Sequence, residues 1–272
     1  MSEMNLPLIQ KIPIDCFRHS PCIDLAYTEM GTGEALILIH GLGGNAWSWR
    51  RQLEALSHDY RVIALDLRGH GQSGYRDEEA VSIRTLAADV VALVRWLGID
   101  QAHFCGHSLG GMIALEILVR TASLMKSLVL ADTTAFFPPP YMLEELLGLF
   151  DRLDMSAWAR FMAPRLLRPE APAALTEEVV EMIAATPRTV YRQALVATFL
   201  ADYRWMLSVI DLPTLILVGA EDEATPVGYA RYLARRIRNS ALQVVPEAAH
   251  LAPREHPEEF NRQVQVHLER AR

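Results

Sequence analysis

Ser108 has the surroundings in this chain best suited to chemistry. It lies in Gly106-His107-Ser108-Leu109-Gly110, with a glycine two residues away on each side. A short apolar run at 102–105 precedes it, and a helical pattern at 108–120 follows. A serine on a sharp strand-to-helix turn occupies strained backbone, and flanking glycines let that turn close without Cβ clashes. The turn lifts the hydroxyl clear of a sheet and sets the free N–H groups of the next helix beside it. This arrangement suits attack on a carbonyl carbon, where charge develops on oxygen and needs donors aimed at it. The backbone N–H of Leu109 is one candidate donor. A second glycine-rich segment, His40-Gly41-Leu42-Gly43-Gly44, follows an apolar run at 35–39, and the N–H of Leu42 is the other candidate. His40 reads as a structural residue that fixes this loop.

Two further segments complete a recognisable order. Residues 66–73 spell D-x-R-G-H-G-x-S, a tight turn held by ion pairs and hydrogen bonds, and an acid and a histidine stand late in the chain. With the H-G-x-G-G loop and the serine turn, this order resembles the α/β-hydrolase family. The resemblance implies a nucleophile–acid–base order along the chain. Ser108 is then the nucleophile. His250, after the run at 242–245, is its base. The acid is Asp222, whose stretch from Gly219 to Pro226 has the family's G-x-x-D-x-x-x-P spacing. Asp132 closes the run at 127–131, where some family members place the acid, and it stands as the alternative. The implied chemistry is a Ser-His-Asp route through an acyl-enzyme, with Asp222 orienting His250 and the N–H groups of Leu42 and Leu109 holding the oxyanion. No cofactor is expected: no Cys/His spacing suggests zinc, and no dinucleotide fingerprint follows a strand.

Elements that could position these residues are visible in the periodicity. Apolar runs of four to six residues recur at 35–39, 61–65, 102–105, 127–131, 214–218 and 242–245. They are largely β-branched or Leu with little polar alternation, the pattern of strands buried on both faces. Helical spacing fills the gaps: 82–97, with Ser82 as N-cap and Gly98 as stop, then 108–120, 226–237 and 257–268. The alternation predicts an α/β fold with a mostly parallel sheet and helices on both faces. A stretch from 12 to 27 reads as a hairpin. Between 133 and 209 there are helical segments and no convincing strand, opening on Phe136-Phe137-Pro138-Pro139-Pro140. The expected organisation is a core of residues 1–132 and 210–272 with a helical cap at 133–209.

Composition narrows the partners. Hydrophobic residues make up 51% of 272, enough for a large buried core rather than a disordered chain. The net charge of −7 and the lack of a basic tract argue against nucleic acid. No apolar run reaches the ~18 residues of a membrane span. The first residues lack the charged and apolar regions of a signal peptide. A cytoplasmic protein with a small-molecule substrate is expected. Cys16, Cys22 and Cys105 read as three reduced thiols, although the first two could face each other across the hairpin. The oligomeric state is not legible.

Within the family, the wording is similar to the 3-oxoadipate enol-lactonase group. The similar stretches are His103-Phe104-Cys105-Gly106, Gly110-Gly111-Met112 and Leu128-Val129-Leu130-Ala131-Asp132-Thr133. That resemblance implies a small carboxylic ester or lactone substrate, with 3-oxoadipate enol-lactone the leading choice. A free carboxylate on such a substrate needs a cation near the pocket, and the cap offers Arg160, Arg165, Arg168 and Arg204. Trp158 and Trp205 could wall an apolar pocket. A carbon–carbon hydrolase of ring-cleavage products, a cofactor-free oxygenase and a non-catalytic ligand receptor are the alternatives on the same fold.

Overall fold

A computed structural model describes residues 8–14, 23–76, 80–137 and 141–271. Eight strands form one sheet: β1 (Gln10–Ile14), β2 (Ile23–Met30), β3 (Ala35–Ile39), β4 (Arg61–Leu65), β5 (Ala102–His107), β6 (Met125–Ala131), β7 (Thr214–Gly219) and β8 (Ser240–Val245). Their order across the sheet is β1-β2-β4-β3-β5-β6-β7-β8. β1 and β2 pair antiparallel, as do β2 and β4, and every later pairing is parallel. The expected hairpin is thus present in its strands, while its connection lies outside the described residues together with Cys16 and Cys22. Cys105 is a buried free thiol in β5.

Ten α-helices accompany the sheet among the described residues: α1 (Arg50–Leu56), α2 (Ile83–Trp96), α3 (Leu109–Thr121), α4 (Tyr141–Phe150), α5 (Met155–Leu166), α6 (Ala173–Ala185), α7 (Arg188–Leu200), α8 (Val227–Arg236), α9 (Ala252–Glu255) and α10 (Pro257–Arg270). None is long and apolar enough to cross a membrane. Local chemistry sets their ends. The Ser82 hydroxyl accepts from Thr85 N–H at 3.1 Å to start α2, and Gly98, at φ 68°, ends it.

Strand alternation divides the core. Ile37 and Ile39 face one side, with Phe104, Leu130 and the apolar faces of α2, α3 and α8. Leu36 and Leu38 face the other, with Val129, Leu217 and residues of α1 and α10. All five side chains of β3 are buried, and each fully buried Ile or Leu is worth roughly 1.5–3 kcal/mol. The central strands, one of which carries Ser108 at its end, are therefore the most firmly held part of the sheet. Helices α4 to α7 all fall between β6 and β7. They share an apolar cluster of their own around Phe150, Trp158, Ile183 and Tyr191.

Candidate active site

Ser108 sits between β5 and α3 at φ 53° and ψ −119°, the left-handed backbone expected of so tight a turn. The glycines permit it. A Cβ on Gly106 would come within 2.3 Å of the Gly110 carbonyl oxygen, and one on Gly110 within 2.2 Å of that of Ile39. Three bonds hold the turn: Ser108 N–H donates to the Ala131 carbonyl at 2.9 Å, and the Ser108 carbonyl accepts from the Thr133 hydroxyl at 2.7 Å and from Gly111 N–H at 2.9 Å.

Far along the chain, His250 meets this hydroxyl. Its Nε2 is 3.0 Å from Ser108 Oγ, and its Nδ1 is 2.9 Å from Asp222 Oδ2. Asp222 follows β7 and His250 follows β8, so parallel pairing brings their loops to the same edge of the sheet as Ser108. Asp222 also accepts from the N–H groups of Ala224 and Thr225, each at 2.8 Å, and from the Thr225 hydroxyl at 2.7 Å. Burial pushes its carboxyl up, but the His250 imidazole and these donors outweigh burial and hold it at about 2.

Asp132, the alternative acid, ends β6 in a left-handed conformation, with φ 45°. Its Oδ1 accepts from Gly219 N–H at 2.7 Å, and Oδ2 has no hydrogen-bond partner among the described residues. Burial first, then the neighbouring Asp222, raise its carboxyl well above the usual range. It is Asp222 whose carboxylate contacts His250.

The H-G-x-G-G loop is pinned as expected. His40 Nε2 accepts from Leu67 N–H at 2.9 Å and Nδ1 donates to the Gly41 carbonyl at 2.7 Å. Burial holds this imidazole at about 4, consistent with a neutral ring that accepts on one nitrogen and donates on the other. Leu42 lines the cavity over Ser108. Leu109 opens α3, where an N–H has no intrahelical acceptor. The turn at 66–73 is also held by bonds. Arg68 and Asp89 pair through two hydrogen bonds of 2.8 Å, and Asp66 accepts from Ala46 and Gln72 N–H.

A cavity of about 540 Å³ opens on Ser108 and His250. Helices between β6 and β7 supply much of its apolar wall, including Leu146, Phe161, Met162, Leu195 and Phe199. Arg165 is the one arginine or lysine in the described lining, and Glu223 its one carboxylate. The Arg165 guanidinium lies over the Phe161 ring, 3.7 Å from its centroid.

The other expected pocket residues lie elsewhere. Trp158 is fully buried within the inserted helices, edge-on to Phe150, because its face of α5 packs inward rather than toward the cavity. Trp205 is 68% exposed. Arg160 is exposed and ion-paired with Glu177 at 3.6 Å. Arg168 pairs with Glu170 and Glu221, and Arg204 with Asp202. His107 lines the cavity beside Ser108, and His267 is buried on α10. The neighbours of His107 come from distant segments, so local spacing carried no signal for it.

Comparison with known proteins places this arrangement in context. The chain is 31% identical over 252 residues to RutD of Azorhizobium caulinodans, named as a carbamate hydrolase, covering 90% of this chain and 95% of that one. It is 31% identical over 232 residues to 3-oxoadipate enol-lactonase 1 of Acinetobacter baylyi, covering 83% and 85%. Among solved structures, a thermophilic esterase from Thermogutta terrifontis superposes with a TM-score of 0.89 at 29% identity, covering 96% of this chain and 99% of that one. The enol-lactonase from Burkholderia xenovorans LB400 gives 0.85 at 26% identity, covering 91% and 97%. Residues 36–263, from the strand before the H-G-x-G-G loop to the last helix, match the alpha/beta hydrolase family, and the chain belongs to that family.

Proposed function

We propose that the protein hydrolyses small carboxylic esters or lactones through an acyl-enzyme on Ser108. One observation carries this reading: Ser108 Oγ, His250 and Asp222 form a continuous hydrogen-bonded chain, 3.0 Å and then 2.9 Å, that opens on a cavity. Ser108 Oγ attacks the carbonyl carbon while its proton passes to His250 Nε2. Asp222, ionised and fixed by Thr225, keeps the proton of neutral His250 on Nδ1 and stabilises the imidazolium as it forms. The N–H groups of Leu42 and Leu109 receive the oxyanion. The imidazolium then protonates the departing alkoxide, or the ring oxygen of a lactone. Water, deprotonated by His250, attacks the acyl-enzyme, and the proton returns to Ser108 as the acid leaves.

The lining supports a largely apolar substrate with at most one carboxylate. Among the lactones, 3-oxoadipate enol-lactone is the leading candidate, favoured by the two enol-lactonases among the relatives, with its carboxylate on Arg165. The residues at 133–209 act as a cap over the reacting bond. A panel of short aryl esters, lactones including the enol-lactone, and a carbamate tests the substrate class. Labelling with an activated phosphonate tests the nucleophile. The expected result is turnover of a short ester or lactone, and one phosphonyl group per chain on Ser108. Turnover confined to long-chain esters would overturn the small-substrate reading, and turnover persisting after complete labelling would overturn the covalent route.

A further inference from the structure

His107 lies next to the nucleophile in sequence, yet its ring reaches the other side of the site. Its Nε2 lies 2.6 Å from the main-chain oxygen of His250, 143 residues away. A carbonyl oxygen can only accept, so Nε2 carries the proton and donates it. The two imidazole rings stand 5.0 Å apart, centroid to centroid. Trp49 meets the His107 ring edge-on at 6.3 Å. Gly41 leaves it room: a Cβ there would come within 2.8 Å of His107 Nδ1. Burial, followed by the adjacent His250, lowers its pKa to about 3, so the ring is neutral at physiological pH.

The segment carrying His250 needs such a tie. Residues 246–249 connect it to β8, and its other anchors lie to either side: Glu255 accepts from Ala249 N–H at 2.8 Å, and Gln52 donates to the Pro253 carbonyl at 2.9 Å. His107 grips residue 250 itself. Because it stands directly beside Ser108, it references the base to the nucleophile through one side chain.

We propose that His107 is a positioning residue for the hydrolysis: its Nε2–H holds the main-chain oxygen of His250 and so sets where the imidazole meets Ser108. It touches no reacting atom in this role. The proposal rests on the Ser108–His250 reading and extends it. Displacing a reacting group by about 1 Å is enough to cost a rate of order 10²-fold.

Gln and Met have nearly the same shape and differ in the donor, so His107→Gln and His107→Met isolate the N–H. On a short ester, His107→Met is expected to lower kcat by about 10- to 100-fold with KM little changed. His107→Gln is expected to stay within a few-fold of wild type. The rate of Ser108 labelling by the phosphonate should follow kcat in both variants. Equal kcat in the two variants, whether high or low, overturns the proposal, since the donor then has no effect of its own. So does a change confined to KM. Should the Met variant fail to fold, the Gln variant decides: near-normal kcat supports the donor role, and a tenfold loss in a protein of unchanged melting temperature overturns it. Absence of Ser108 labelling in the wild type would instead remove the nucleophile reading beneath, so the two failures are distinguishable.

Discussion

On the core side of the cavity, Ser108, His250, Asp222 and Thr225 form one connected set of hydrogen bonds at the ends of three strands. On the side of the inserted helices the wall is Leu146, Phe161, Met162, Leu195 and Phe199, with Arg165 its one cation. The first wall is directional, because these four side chains are hydrogen-bonded to one another, and hydrogen bonds are angle-dependent. The second is held by apolar packing, which has no preferred direction and tolerates exchange of similar volumes. The difference separates two tasks. A directional wall can fix a reacting geometry, and an apolar one sets which molecules fit.

The sharpest way to break this comparison is at Ser108. Ser108→Ala is expected to lower kcat by about three to six orders of magnitude on any ester the wild type turns over, while the ligand still binds. Steady-state kinetics with a binding measurement checks it. Loss of binding without loss of kcat would reverse the division of tasks.

Next come the two carboxylates at the ends of neighbouring strands. Asp222→Ala should cost about 10⁴-fold in kcat, because the imidazole loses the group that fixes its tautomer. Asp132→Asn keeps the shape and an acceptor for Gly219 N–H, and should leave kcat within about tenfold. The opposite ranking would make Asp132 the acid.

These two residues also show how far the sequence could be read. The runs at 35–39 and 61–65 are strands with those same bounds, because strands buried on both faces write unbroken apolar runs. The serine turn was legible because strained backbone demands glycine. Asp222 and Asp132 were both visible as strand-end acids, and only the loop after β7 decides which one His250 touches. The inserted helices were legible as helices but not as a lining. Trp158, Met162 and Arg165 share helical spacing on α5, yet Trp158 packs inward on Phe150 and Arg165 reaches the cavity. Periodicity gives the face of a helix, and neighbours from elsewhere decide what that face meets.

Trp158 offers a test from the other wall. Its ring lies 5.0 Å from Phe150 and 6.1 Å from Tyr191. Trp158→Ala should destabilise the inserted helices by about 3–5 kcal/mol through lost burial and the cavity left behind. Hydrogen exchange should rise at 141–200 and change little in the central strands. A uniform rise would mean that the two regions unfold as one.

Acid should reach the two walls in the opposite order. Burial holds His40, His70 and His107 at about 4, 3 and 3, below the 6.5 of the unfolded chain. For His70 and His107 the next imidazole, His40 and His250 in turn, adds to that lowering. The folded state excludes protons that the unfolded chain accepts. The contribution of these three rings is therefore complete above about pH 6.5 and is lost as pH falls toward 4, while the raised carboxyls of Asp132, Asp66 and Glu255, all driven up first by burial, contribute with the opposite sign. Asp222 adds a loss of the same sign as the rings, but only below pH 3.8, as pH falls through about 2. Residues 133–209 contain no histidine. Between pH 7 and pH 5, hydrogen exchange should change in the core strands before it does in the cluster around Trp158.

The smallest effect probes the one charge in the apolar wall. Arg165 bonds to the Phe161 carbonyl at 2.5 Å and lies on the Phe161 ring, so its guanidinium is already held against a residue that also lines the cavity. Arg165→Met keeps the apolar stem and removes the charge. For a substrate bearing a carboxylate, KM should rise roughly tenfold, the worth of one partly solvated ion pair of about 1 kcal/mol or slightly more. For a neutral ester of equal size KM should stay the same or fall, since an apolar side chain then faces an apolar acyl group. Equal KM changes for both substrates would mean that Arg165 fills space without reading charge, and that the inserted wall selects by shape alone.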